Sequence, residues 1–179
     1  PNFSVGANLG MIFMMAMEQE YDELDFAIRA FQNTTMRARY SSIPVVAGPH
    51  GMTLGGGCEL SMHCDVAVAS AETYIGLVEV GVGLVPGGGG IKELALRLSD
   101  SFFDGDVQIP KLQEAFLNIA MAKVATSAQE GFDKGFFRKG TDRIVMNSKR
   151  VIAEAKAEVI RMAEEGYTQP AKRNDITVL

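Results

Sequence analysis

The chain has 179 residues, of which 47% are hydrophobic and 22% charged, so it is long enough to bury a core and too apolar to be disordered. Its net charge of −5 argues against a dedicated nucleic-acid binder, which usually presents a basic surface. The longest apolar run near the start covers residues 11–17, short of the roughly 20 residues that a membrane span needs, and we expect no span.

Strands and helices alternate along the sequence. Residues 2–7 have the character of the end of a buried strand, and the three- and four-residue spacing of apolar residues over 18–40 indicates an amphipathic helix. Strands are then predicted at 43–47, 66–69 and 74–78, and helices at 58–64, 91–98, 111–124, 127–134 and 148–165. The class is therefore α/β. Because the first residues and 175–179 both look like parts of strands, we expect a piece of a longer polypeptide.

Glycines and uncompensated acids concentrate in the middle of the chain. Twelve of the 19 glycines lie within 48–90. No Lys or Arg occurs within 40–91, yet this stretch holds four acidic residues, Glu59, Asp65, Glu72 and Glu79. A carboxyl group buried without a cation has a raised pKa, which suits a general acid or base near neutral pH.

Three glycines, Gly55 to Gly57, immediately precede Cys58 and Glu59 at the predicted start of a helix. N–H groups at a helix N-terminus are unpaired, and glycine lets a ligand oxygen approach them closely, as in an oxyanion hole. The alternative is a tight turn in which Glu59 only offsets the helix dipole.

Two nucleotide-binding motifs are incomplete in this sequence. Pro86 stands where a dinucleotide-binding fingerprint needs its third glycine, and Gly57 and Cys58 stand where a phosphate-binding loop needs Lys and Ser or Thr. Cys58, His63 and Cys64 lack the spacing of metal ligands, so no metal is expected and His63 is interpreted as structural. Two cysteines make no disulfide framework, which indicates a reducing compartment, and we expect a cytoplasmic protein.

Residues 11–17 hold four of the ten methionines. Because methionine is flexible and apolar, this run is either a flexible core segment or an adaptable lining for an alkyl chain. The sequence leaves both interpretations open.

Three blocks in order match one family: 3–9, 51–60 and 76–90. They resemble the crotonase superfamily, specifically the enoyl-CoA hydratases, over roughly residues 1–100. Residues 73–79 are most similar to the hydratase-like domain of bacterial 3-hydroxyacyl-CoA dehydrogenase proteins of fatty-acid oxidation. The resemblance implies a spiral of strand–strand–helix units whose first turns precede Phe3. It further implies a catalytic core over 1–100, incomplete at its N-terminus, and a helical C-terminal part over 101–179.

The resemblance also implies the site. The N–H groups of Ala7 and Gly56 match the pair that binds the thioester carbonyl oxygen. Glu59 and Glu79 match the two acid–base glutamates, with Glu59 activating water and Glu79 transferring the α-proton, while the backbone of Gly87 helps to place the water. The other implied substrate-binding residues are Val5, Gly6, Asn8 and Gly55.

The implied reaction adds water across a trans-2-enoyl-CoA to give a 3-hydroxyacyl-CoA in fatty-acid β-oxidation. Coenzyme A belongs to the substrate, and no cofactor is expected in this domain. The family implies a homo-oligomer, a trimer or hexamer, with or without fused dehydrogenase domains. The chain departs from many relatives at Asn8, where they have Asp, and at Gly10 and Met11, where they carry a basic residue near the CoA phosphates.

Two alternatives to hydration remain open. An enoyl-CoA isomerase can work with the Glu79 position alone, and a non-catalytic acyl-CoA-binding or structural module needs neither glutamate. The presence of Glu59 together with Glu79 favours hydration, because a binding module has no use for two uncompensated carboxylates.

Overall fold

Five short strands and seven α-helices make up residues 1–178, the part of the chain that a computed structural model describes. The strands are β1 (Val46–Ala47), β2 (Met52–Leu54), β3 (Val66–Ser70), β4 (Tyr74–Gly76) and β5 (Arg143–Val145). The helices are α1 (Leu9–Met17), α2 (Tyr21–Arg39), α3 (Gly56–His63), α4 (Gly90–Asp100), α5 (Ile109–Ala120), α6 (Ala128–Asp133) and α7 (Val151–Glu164). Two 3₁₀ turns cover Glu79–Val82 and Ser148–Arg150.

The chain winds through two successive strand–strand–helix units. The first unit is β1, β2 and α3, and the second is β3, β4 and α4. β1 pairs in parallel with β3, so that Val46 lies opposite Val66, and β2 pairs in parallel with β4. β5 lies in parallel on the other side of β3. Each strand therefore stacks on its counterpart in the previous unit, and the predicted α/β spiral is confirmed.

β3 divides the core into two parts. Successive side chains of a strand point to opposite faces, and all five residues of β3 are buried. Ala67 and Ala69 belong to the larger hydrophobic cluster, whereas Val66 and Val68 pack with Ala155 of α7 in a second cluster. Burial of a valine side chain stabilises a fold by about 1.5–3 kcal/mol, so both faces hold β3 in place.

Helix α3 lies inside the molecule and positions the site. It packs against α2, α4 and β2, and six of its eight residues are buried. The connection from β2 is the single residue Gly55, whose N–H donates to the carbonyl oxygen of Gly76 at the end of β4. The first turn of α3 therefore starts directly at the edge where β2 and β4 end.

Residues 3–5 run alongside β2. The Ser4 N–H donates to the Met52 oxygen at 3.0 Å, and the Leu54 N–H donates to the Ser4 oxygen at 2.9 Å. Where the sequence predicts the end of a strand at 2–7, the structure has a single parallel bridge between Ser4 and Thr53. Val5 is 61% exposed, so this segment is not the buried strand that the sequence suggests.

Several boundaries differ from the sequence-based prediction. The sequence predicts no strand at β5, whose three residues are too few for an alternating pattern to be recognised. The 3₁₀ turn Ser148–Arg150 takes the place of the first predicted residues of the last helix, so α7 starts at Val151 rather than at 148. Residues 175–178 form no strand, and Leu179 lies outside the described residues.

The division between 1–100 and 101–179 stays a prediction. Within residues 1–178, no helix has both the length and the apolar character needed to cross a bilayer.

Candidate active site

A cavity of about 670 Å³ opens between α1, α2, the N-terminus of α3 and the loop that follows β4. Every residue assigned to the site from the sequence lines it: Val5, Gly6, Ala7, Asn8, Gly55, Gly56, Glu59, Glu79 and Gly87. These residues come from three separate parts of the chain, and the spiral brings them together. Their individual roles stay predictions.

Glu59 lies in the first turn of α3 with only 1% of its surface exposed. Its carboxylate accepts hydrogen bonds from the N–H of Gly88, at 2.8 and 3.0 Å to the two oxygens, and from the N–H of Gly90 at 2.9 Å. Burial raises the pKa of Glu59, and the two backbone donors partly oppose that rise. The carboxylate is therefore held in a fixed orientation by neutral peptide groups.

Glu79 begins the 3₁₀ turn after β4 and has a different environment. Its Oε2 atom is buried and has no hydrogen-bond partner within residues 1–178. Burial, reinforced by the charge of Glu59, raises the pKa of Glu79 to about 7. At neutral pH this side chain is divided between its protonated and ionised forms, so it can both give and take a proton.

The N–H groups of Ala7 and Gly56 supply hydrogen-bond donors beside the carboxylates. Gly56 is the first residue of α3, and a carbon added at Gly6 would lie 3.9 Å from the Gly56 nitrogen, so the two segments are adjacent. Gly6 has φ +93° and Gly55 has φ +54°, conformations that favour glycine. No hydrogen bond from the Ala7 or Gly56 N–H to another part of residues 1–178 occurs. Both donors are therefore available to a ligand.

Asn8 has a local role that the sequence does not reveal. Its side-chain oxygen accepts a hydrogen bond from the N–H of Met11 at 3.2 Å and caps the N-terminus of α1. It also lines the cavity next to Ala7. The cap fixes where α1 starts, immediately after the predicted oxyanion donor.

The glycine run 87–90 contains contacts that sequence analysis missed. The donors to Glu59 are Gly88 and Gly90, whereas only Gly87 was singled out from the sequence. The carbonyl oxygens of Gly87 and Gly88 in turn accept hydrogen bonds from the side chains of Gln32 and Thr35 on α2. The glycine run itself was the available signal, but it does not show which N–H groups point towards the carboxylate.

The rest of the cavity wall is apolar. Two helices supply eight of its side chains: Leu9, Met11, Ile12 and Met15 on α1, and Leu24, Ala27, Ile28 and Phe31 on α2. Val5 and the segment after β4 supply others: Val78, Val82, Leu84, Val85 and Pro86. Helix α1 has no buried residue, so the interpretation of 11–17 as a core segment is wrong. Methionines on a cavity wall fit the alternative, an adaptable lining for an alkyl chain.

One histidine and two cysteines of α3 and its C-terminal end are buried. His63 is fully buried, its Nδ1 lies 2.7 Å from the backbone oxygen of Glu59, and burial lowers its pKa to about 4, so it is neutral. Cys58 and Cys64 are buried free thiols, and burial raises the pKa of both. No group of three or more His, Cys, Asp or Glu side chains in residues 1–178 could hold a metal ion.

Comparison with known proteins agrees with this geometry. A family model described as enoyl-CoA hydratase/isomerase matches residues 2–109, and the chain belongs to this family. The resemblance inferred from the sequence is thus confirmed. The chain is 43% identical over 171 residues to a probable 3-hydroxyacyl-CoA dehydrogenase of Bacillus subtilis, covering 96% of this chain and 21% of that protein. It is 48% identical over 52 residues to a short-chain-enoyl-CoA hydratase of Clostridium acetobutylicum, covering 29% of this chain and 20% of that protein.

Solved structures show the same fold. An enoyl-CoA hydratase from Polaromonas superposes with a TM-score of 0.67 at 25% identity, covering 92% of this chain and 55% of that one. A putative enoyl-CoA hydratase from Streptomyces coelicolor superposes with a TM-score of 0.73 at 20% identity, covering 90% of this chain and 53% of that one. The chain therefore spans about half the length of these structures and about a fifth of the Bacillus protein.

Proposed function

We propose that this protein hydrates trans-2-enoyl-CoA thioesters to 3-hydroxyacyl-CoA in fatty-acid β-oxidation. One observation carries the proposal: two carboxylates in unlike environments line the same cavity as two unpaired backbone N–H donors and an apolar wall. Membership of the enoyl-CoA hydratase/isomerase family supports the substrate class.

The two N–H donors would stabilise the charge that develops on the substrate. When water attacks the β carbon, the electrons of the double bond move towards the thioester and its oxygen becomes an enolate oxygen. Hydrogen bonds from Ala7 and Gly56 would hold that oxygen, and each donor in such a hole typically lowers the barrier by about 2.7–4 kcal/mol.

The two glutamates would carry the protons. Glu59, fixed by Gly88 and Gly90, takes one proton from the water as its oxygen bonds to the β carbon. Glu79, with its pKa near 7, gives its proton to the α carbon as the thioester carbonyl re-forms. One water is added, Glu59 gains one proton and Glu79 loses one, and proton exchange with solvent returns both groups to their starting states before the next turnover. The two titrations are coupled, because the charge of Glu59 raises the pKa of Glu79.

The apolar wall would take the acyl chain, and coenzyme A would enter as part of the substrate. No metal or separate cofactor takes part in the proposed chemistry, since the water is activated by a carboxylate. The buried free thiols of Cys58 and Cys64 support a reducing, cytoplasmic location.

An enoyl-CoA isomerase is the second candidate. The observation that favours it is the free Oε2 of Glu79 together with its pKa of about 7, because a single group could remove a proton from one carbon and return it to another. The family description covers both activities. Hydration is preferred, because the orientation of Glu59 by two donors would serve no purpose in a mechanism that uses Glu79 alone.

We further propose that the chain acts as the hydratase part of a protein that also carries dehydrogenase domains, and that it assembles as a trimer or hexamer. The 43% identity to the Bacillus protein over 96% of this chain supports the first point. Reduction of NAD⁺ by the full-length protein after addition of an enoyl-CoA would test it, and light scattering would give the assembly.

The main test uses Glu59→Gln and Glu79→Gln, with Glu72→Gln as a matched control because Glu72 is exposed and lies outside the cavity. Loss of enoyl-CoA absorbance reports hydration, and conversion of a 3-enoyl to a 2-enoyl thioester reports isomerisation. Each active-site variant should lose hydration by about 100-fold or more with folding intact. Unchanged hydration in both variants would refute the mechanism, and isomerisation that needs Glu79 but not Glu59 would establish the second candidate.

A further inference from the structure

One peptide unit links Glu59 to helix α2. The N–H of Gly88 and the carbonyl of Gly87 belong to the same planar peptide group, and they point in opposite directions. The N–H donates to Glu59 at 2.8 Å, while the carbonyl oxygen accepts from Nε2 of Gln32 at 2.8 Å. Holding the oxygen end of this plane fixes the direction in which the nitrogen end points.

The next peptide unit is held by the same helix. The fully buried Thr35 hydroxyl lies 2.8 Å from the carbonyl oxygen of Gly88 and 2.9 Å from that of Gln32, and the shorter of the two contacts is the one to Gly88. In the third peptide unit, the carbonyl oxygen of Gly89 accepts a hydrogen bond from the Glu93 N–H in α4. The N–H of the same unit belongs to Gly90 and donates to Glu59. A chain of glycines has little conformational preference of its own, so these contacts determine its shape.

Helix α2 has a second contact with the site. Ile28 and Phe31 line the apolar wall of the cavity, and each lies four residues before one of the two side chains that hold the loop, Ile28 before Gln32 and Phe31 before Thr35. The helix that would contact the acyl chain is thus the helix that holds the loop around Glu59.

We propose that Gln32 and Thr35 are positioning residues, which orient the carboxylate of Glu59 through the peptide groups of Gly87 and Gly88. This inference rests on the proposed function of Glu59 as the base that activates water. Without these bonds the loop N–H groups lose their alignment, Glu59 is held less well, and its carboxylate form is less favoured. The loss therefore falls on the chemical step rather than on substrate binding.

The principal variant is Thr35→Val, which removes the hydroxyl and keeps the shape. Thr34→Val is the matched control, because the Thr34 hydroxyl donates only to Ala30 within its own helix. In the full-length protein, Thr35→Val should lower kcat roughly tenfold while KM changes little, because small displacements of a catalytic group cost rate. The acidic limb of its kcat profile should move to higher pH. Thr35→Ser, which restores the hydroxyl, should recover most of the loss, and Thr34→Val should behave as the wild type.

A second variant covers the case in which Thr35→Val does not fold. Gln32 is exposed, so Gln32→Met removes the donor without disturbing the core, and Gln113→Met on α5 is its control. Circular dichroism checks the folding of each variant. A folded Gln32→Met protein with lower kcat and unchanged KM supports the proposal. Wild-type kcat and pH profile in folded Thr35→Val and Gln32→Met proteins would overturn it.

A readout without catalysis separates this inference from the proposed function. The ¹³C signal of the Glu59 carboxyl, assigned by its absence in Glu59→Gln, gives the pKa of Glu59 directly by NMR titration. A higher pKa in Thr35→Val and Gln32→Met, but not in Thr34→Val, supports the positioning role even if the protein hydrates no enoyl-CoA. An unchanged Glu59 pKa together with unchanged kcat refutes the positioning role and leaves the proposed function standing.

Discussion

A β-carbon placed on Gly88 would lie 2.6 Å from Oε2 of Glu59, well inside van der Waals contact. The same carbon would lie even closer to Cε1 of the Phe31 ring. A side chain on Gly88 would therefore collide with the same carboxylate that its N–H binds. The position is therefore restricted to glycine by the packing of its neighbours.

Gly88→Ala should destabilise the protein and impair hydration together. Overpacking of this kind typically costs about 1–3 kcal/mol, and relief of the clash must move the loop, Phe31 or Glu59. Urea denaturation and the hydration assay measure the two effects. For stability, Gly87→Ala is the comparison, because its added carbon meets nothing closer than 3.8 Å. Equal free energies of unfolding in the two variants would contradict the predicted clash.

The hydration rate should fall on both sides of neutral pH. At low pH the rate falls because Glu59 gains a proton and cannot accept one from water. As the pH rises through about 7, Glu79 loses the proton that it must deliver. Initial rates from about pH 5 to about pH 9 test this, and the residual activity of Glu79→Gln should lack the alkaline limb. An alkaline limb retained in that variant would assign the proton donor to another group.

Glu79 should also make folding stability depend on pH. Its pKa is about 7 in the folded chain against an ordinary value of 4.5, so the folded state binds this proton more tightly than the unfolded state does. The resulting stabilisation is complete below 4.5 and is lost as the pH rises through 7. Glu79→Gln should therefore be more stable than the wild type above about pH 7, with the difference shrinking towards acid pH. Urea denaturation at several pH values measures this, and a difference in stability that stays constant with pH would contradict the prediction.

Ala27 offers a way to shorten the cavity. It lies on the α2 face that lines the apolar wall, so Ala27→Phe should obstruct long acyl chains and leave short ones room. The kcat/KM for a long trans-2-enoyl-CoA should fall at least about tenfold relative to a short one, the usual scale for a filled apolar pocket. Ala30→Phe, on the same helix but outside the cavity, is the control. Equal losses for both chain lengths would mean that the acyl chain does not lie along α2.

The sequence predicts the main parts of the site, because those parts have side-chain signatures. Glu59 lies two residues after a run of three glycines at a helix start, and Glu79 follows a short buried strand, so the pattern marks both as candidates and the family resemblance supplies their predicted roles. It also predicts the helix that carries Gln32 and Thr35, though not their roles. Side chains that bind backbone oxygens 53 and 55 residues away leave no local pattern to recognise.

Two of the predictions that fail, a buried strand at 2–7 and a core segment at 11–17, do so for a related reason. Whether Val5 or Met11 is buried depends on which elements pack over it, and this is a property of the fold rather than of the local sequence. Strand β5 pairs with the edge of β3 that β1 does not occupy. Its three residues are too few to show the alternating hydrophobic pattern from which a strand could be predicted.

Among residues 1–178, the side chains that line the cavity include no lysine or arginine, and the negative charge of Glu59 is balanced by peptide N–H groups alone. Peptide dipoles cannot be deprotonated and bring no counterion with them. Salt in the surrounding water has little influence on contacts this short and this deeply buried. The stabilisation of the Glu59 carboxylate by these N–H groups should therefore change little with ionic strength. When the product leaves, no unpaired cation remains in the cavity to bind another anion.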